Sequence, residues 1–443
     1  MEQLERQLDG FDPRQRRDAL AALADKWRAG EIELPEPGSL VNLHIHSFYS
    51  YNAYGYSPSK AAWLAKQHGL AAAGIMDFDT LEGAEEFFDA AAMLDVKACV
   101  GMETRVFVPQ FGERVMNSPG EPGIAYHMGY GFTTAALGPG LEAYRSRLQD
   151  TAQERNRVIV DRVNPYLSPV ELDYDAEVAP ITPGINVTER HICKAYAQKA
   201  AAMFGGRAGL AGFWAGKLGI TPDEFEALDD YGLESLIRKK TMKSGGVGYV
   251  APGRGSFPKM AEYDRFVLDA GAIPVLAWLD GASEGERHYE ELCEIAIEGG
   301  VAALSCIPDL RYASSKGAER KKLANLYKLF ELAEKLDLPM IAGTEMNIPG
   351  QRFVDDFESD ELAPLLPYVL KSAHIFYGHT VLQRRAGLGY TSGWAERMFA
   401  GRAERNEFFE RVGEELRPGR EPLLDGIGPD ASPGSILSGI RAA

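Results

Sequence analysis

Seven short runs of apolar, β-branched and glycine residues punctuate the chain. They are VNLHI from Val41, LAAAGIM from Leu70, VKACVGMETRVF from Val96, IAYHMGYGF from Ile124, AIPVLAW from Ala272, VAALSCI from Val301 and PMIAGTE from Pro339. Near-continuous apolar character over so few residues marks strands buried on both faces, as in a parallel sheet. Helical segments join most of them. Ser57 followed by Pro58 makes an N-cap and a first-turn proline for SPSKAAWLAKQHG, which Gly69 ends. Asp79 and Glu82 have the spacing of a capping box before EEFFDAAAML. From about Thr133 to Tyr263 the rhythm stops and the sequence reads as helical over 140–163, 188–204 and 222–240. The pattern predicts an α/β chain with a helical insertion.

The first run carries His44 and His46. Residues i and i+2 of a strand project from one face, so both imidazoles can reach one point. Neutral imidazole is the commonest metal ligand among side chains. Glu103, His127 and Glu345 sit in or at the ends of other runs. If those ends converge, five metal-competent groups meet, and mixed imidazole and carboxylate ligands suit zinc, manganese or iron.

In order, HIHS, GIMDFDT, GMETRV, YHMGYGF, AIPVLAW and IAGTEMN resemble the PHP family, named for polymerase and histidinol phosphatase. The resemblance runs from about Val41 to about Phe353. It implies a distorted seven-stranded (β/α) TIM-like barrel, interrupted here by the insertion, with the site at one mouth. It also implies metal-dependent hydrolysis of a phosphate ester by a metal-activated water. His44, His46 and Glu345 would hold one metal and Glu103 would bridge to a second, held by His127.

Several positions depart from the family pattern. Asn52 stands where a third early histidine is expected, and Asp77-Phe78-Asp79 replaces Asp-His-Asp. Ala277-Trp278-Leu279 replaces Ala-His-Pro, and Glu345-Met346-Asn347 replaces Asp-x-His. The resemblance therefore implies one or two metals rather than three, with His191 of the insertion as the available substitute for the histidine lost at Trp278. Asp77 would orient a ligand histidine or accept a proton, and Asp79 is either a second catalytic carboxylate or only the helix cap. Arg105, Lys243, Arg254 and Arg311 are the candidate contacts for a phosphate. An amide or lactone hydrolase on the same metals, or a metal-stabilised binding module without catalysis, are the rival readings. His68, His288, His374 and His379 read as structural.

A formal net charge of −17 repels polyphosphate backbones, so a small phosphorylated molecule is the expected partner rather than nucleic acid. The four cysteines form no CxxC pair, and no run reaches membrane-spanning length. MEQLERQLDG lacks the apolar core of a signal peptide, and together these features suit the cytoplasm. The expected organisation is an N-terminal helical arm over 1–38 and a first barrel part over 39–132. An insertion or cap over 133–265 follows, then a second barrel part over 266–360 and a helical extension and tail over 361–443.

Overall fold

The computed structural model describes residues 1–251, 256–311 and 318–442. They form two compact units: Met1–Ser47, Asn52–Tyr144 and Phe257–Ala443 make the first, and Phe48–Tyr51 with Arg145–Ser256 the second.

In the first unit, α1 (Pro13–Arg28) starts on Asp12, whose carboxylate accepts from the Arg14 N–H. It buries Leu20, Leu23 and Ala24, and sends Arg16 inward to Glu86. The N-terminal arm is thereby pinned to the barrel wall. The expected seven strands follow: β1 (Val41–Ile45), β2 (Ala72–Phe78), β3 (Ala98–Phe107), β4 (Ile124–Tyr130), β5 (Ile273–Ala277), β6 (Ala303–Cys306) and β7 (Met340–Ala342). They pair in sequence order. Helices α2 (Pro58–Gln67) and α3 (Ala84–Leu94) connect the first three strands. The Ser57 side chain caps α2 as expected. By contrast, α3 begins at Ala84 with Gly83 as its N-cap, so Asp79 is not its cap.

One strand departs from a pure (β/α) pattern. β4 is antiparallel to both β3 and β5, whereas the other neighbouring pairs are parallel. The cause lies in the link between β3 and β4, which holds one short 3-10 turn and no crossover helix. Without a crossover, a chain leaving a strand can only come back beside it in the opposite direction. Val108 N–H donates to the Gly123 carbonyl at 2.8 Å, just beyond the paired strands.

β7 returns to β1, and a single bridge between Ile45 and Glu345 nearly closes the sheet into a barrel. Glu345 N–H donates to the His44 carbonyl at 2.8 Å, and His46 N–H to the Glu345 carbonyl at 2.9 Å. Gly343 makes the approach feasible, because a Cβ there would collide with the His44 backbone nitrogen and the Asn42 side chain. Outside the sheet, α6 (Met260–Asp269) precedes β5; α7 (Tyr289–Glu298) and α8 (Glu319–Lys335) precede β6 and β7. The long α9 (Leu366–Ala386) buries Val369, Ala373, Phe376 and Val381. A further helix covers Pro433–Ala442.

The second unit has its own core of Ile159, Val163, Tyr196, Trp214, Ile237 and their neighbours. α4 (Pro139–Leu167) enters it at Arg145, and α5 (Glu189–Phe204) gives Ile192, Cys193 and Tyr196 to its core. The segment after β1 belongs here too: Thr182 Oγ1 donates to the Phe48 carbonyl at 3.0 Å.

Candidate metal centre

Strand alternation turns His44 and His46 to one side of β1, and their rings meet edge to face at 5.1 Å. Both are fully buried. Together with Glu345 they form a group whose ligand atoms all lie within 4.8 Å of one another. Glu103 Oε2 lies 3.5 Å from Nε2 of each histidine.

Burial dominates the electrostatics. It pulls His44 below the ordinary histidine value, against the opposing carboxylates of Glu345 and Asp77. His46 is held well below, by burial and by His44 beside it. Glu103 is pushed well above the ordinary glutamate range, by burial first and then by Asp79. Neutral imidazoles are the protonation state that a metal requires. Both ring nitrogens of His44, and Oε2 of Glu103, have no hydrogen-bond partner among the described residues. Buried polar atoms left so cost free energy unless something fills the space between them. A divalent cation fits that donor set.

The surrounding backbone aims these groups. Asn42 binds β1 to the segment after β7: its Nδ2 donates to Thr344 Oγ1 at 2.8 Å and to the Phe353 carbonyl at 2.6 Å. Its Oδ1 accepts from His44 N–H at 3.2 Å. Asp77 receives the Ser47 N–H at 2.7 Å and the Ser47 hydroxyl at 2.6 Å, which fixes the chain just past His46. Asp79 sits at φ 53°. Its N–H donates to the Glu103 carbonyl at 2.8 Å, and its Oδ1 accepts from Thr104 Oγ1 at 2.5 Å. Burial pushes the Asp79 carboxyl up to about 6, with Thr104 and Arg105 opposing. Ser47 and Thr104 were not anticipated from the sequence, since short hydroxyl residues carry no spacing signal of their own.

Residues 42–214 match the family model of the PHP domain. The match takes in β1 to β4 and part of the second unit, so β5 to β7 and Glu345 lie beyond it. Among solved structures, the chain is similar to an amidohydrolase from Chromobacterium violaceum, with 18% identity, a TM-score of 0.47, and coverage of 70% of this chain and 88% of that one. It is also similar to a protein from Bifidobacterium adolescentis classed as a metal-dependent phosphoesterase, with 16% identity, a TM-score of 0.46, and coverage of 76% and 98%. No curated protein matches the chain significantly.

Where this chain lacks the histidines expected from the family pattern, the replacements hold the site's frame. Asn52 Nδ2 donates to the His46 carbonyl at 2.8 Å, and its Oδ1 accepts from Tyr54 N–H, also at 2.8 Å. Phe78 stacks on the His46 ring at 4.6 Å between centroids. Asn347 Nδ2 donates to Glu345 Oε2 at 2.5 Å. Trp278 is buried, and its N–H continues the ladder to the Ser305 carbonyl at 2.8 Å.

His127 is a correction to the ligand set. It pairs with Thr104, whereas Glu103 pairs with Met128, so His127 and Glu103 project from opposite faces of the sheet. Its Nε2 lies 2.6 Å from Asp264 Oδ1 on α6, and both side chains are fully buried. The sequence offered no hint of Asp264 as its partner. Asp77 likewise pairs with Met102, on the face opposite Phe78 and Glu103.

His191 belongs to the second unit, where its Nδ1 accepts from the Thr188 N–H at 3.0 Å and caps α5. Burial pushes it down to about 3. Arg105 Nη1 lies 3.0 Å from Glu121, Lys243 Nζ 2.7 Å from Glu189, and Arg311 Nη2 2.6 Å from Asp309. Arg254 lies outside the described residues.

Proposed function

We propose that this protein is a metal-dependent hydrolase acting on a phosphate ester of a small molecule. The observation that carries the reading is the buried set of His44, His46, Glu103 and Glu345, in which both ring nitrogens of His44 and Oε2 of Glu103 have no hydrogen bond among the described residues. His44, His46 and Glu345 would hold one divalent transition ion, zinc, manganese or iron, and Glu103 would share it or reach a second. Such an ion acidifies water and polarises the ester for attack. The protein's part is to keep both imidazoles neutral and to fix the strand ends. It also places Asp79 beside Glu103, with the carboxylate oxygen not taken by Thr104 able to hold a proton.

A second reading has support of its own. In the first unit the candidate cations Arg105 and Arg311 each face a carboxylate, Glu121 and Asp309, so neither offers an uncompensated charge for a phosphate group. That favours a less highly charged scissile group, such as an amide or lactone, on the same centre. Among the described residues no helix is long and apolar enough to cross a membrane. The four cysteines are buried free thiols, in keeping with a reducing compartment.

Turnover of a panel of phosphate monoesters and diesters, set beside amides and lactones, decides between these readings. Zinc- or manganese-loaded protein is expected to release inorganic phosphate from at least one monoester. Turnover confined to amides or lactones would establish the second reading. Metal-loaded protein that turned over nothing would leave a binding module.

A further inference from the structure

Glu345 and Met346 are consecutive non-glycine residues in the left-handed region, at φ 59° and 60°. A non-glycine residue in this region is strained and persists only where the surroundings impose it. Across these two left-handed residues, Asn347 Nδ2 donates to Glu345 Oε2 at 2.5 Å. A carboxylate accepts only, so the amide must present its N–H₂ group and not its oxygen. The amide oxygen is buried and has no partner among the described residues, so this amide is oriented by the bond to Glu345.

We propose that Asn347 is a positioning residue that acts through Glu345: it clamps one carboxylate oxygen so that Glu345 meets the cation in a single orientation. The position that would carry a ligand in the family pattern has, in this chain, been turned into a support for its neighbour. The inference rests on the metal-centre reading above. Partners that orient a metal ligand in this way are worth about 10- to 100-fold in metal affinity.

The test is a double-mutant cycle read by zinc affinity, with zinc titrated into metal-free protein against a chromophoric chelator. Asn347→Ala, with Asn347→Leu in reserve should the alanine variant fail to fold, is expected to weaken zinc binding about 10- to 100-fold. The same change in a Glu345→Ala background is expected to weaken it no further. Wild-type affinity in the folded Asn347 variants would overturn the proposal. So would an equal loss in both backgrounds, which would mark Asn347 as a ligand in its own right. If Glu345→Ala itself left zinc affinity unchanged, the metal centre would be the claim at fault.

Discussion

Replacing His44 by leucine is expected to weaken zinc binding at least about 100-fold, since loss of an outer partner alone costs up to that much. The same substitution is expected to make the metal-free protein more stable. Neither ring nitrogen of His44 has a hydrogen bond among the described residues, and the ring is fully buried. A buried polar group without a partner costs about 1–3 kcal/mol, and leucine fills a similar volume without that penalty. Hydrogen bonds through the His44 backbone are untouched by the change. Denaturant unfolding of chelator-treated protein, compared with and without added zinc, reads both effects. The wild type should gain stability on adding zinc and the variant should not. A metal-free variant less stable than the metal-free wild type would mean that His44 is satisfied by protein alone, and that its orphaned nitrogens signal nothing.

His127→Ala is expected to behave in the opposite way. It should lower stability by about 3–5 kcal/mol, the usual cost of breaking a buried pair from one side. The reason is that Asp264, fully buried, loses the imidazole 2.6 Å away, and its other oxygen already lacks a partner. Zinc affinity should stay at the wild-type value, because His127 faces α6 rather than Glu103. Weakened zinc binding with unchanged stability would return His127 to the metal centre.

The contrast between these two histidines shows how far the sequence can be read. His44 and His46 were legible because a two-residue period and one local element suffice to place both side chains on one face. Glu345 was legible as the residue at the end of an apolar run, which its bridge to Ile45 explains. The run around His127 reads as one more parallel strand ending at the mouth, and in the structure it is antiparallel with His127 on the face opposite Glu103. A strand's composition does not reveal its direction; the connection does, and the link between Phe107 and Ile124, which has no crossover helix, makes this one antiparallel. The seven strands themselves were found, since apolar runs of this length have few other uses. Asp264, Thr104 and Ser47 could not be read, because each acts through a contact made only once distant elements pack. The helix-cap reading of Asp79 is removed by the helix starting at Ala84, with Gly83 as its N-cap.

Asn52, Phe78 and Asn347 were legible as departures but not in their new roles. Each stands against His46 or Glu345, as a backbone clamp, a stacking partner and a carboxylate clamp respectively. A site that had simply decayed would have no reason to keep those contacts around its two histidines and its glutamate.

The most direct test of the centre built by His44, His46, Glu103 and Glu345 is the metal content of the purified protein after loading with zinc or manganese and removal of excess ion. Elemental analysis is expected to find one or two ions per chain, falling below one in Glu103→Ala. Three tightly held ions would mean that Asn52, Phe78 and Asn347 have not dismantled a site, and no bound ion at all would contradict the metal centre itself.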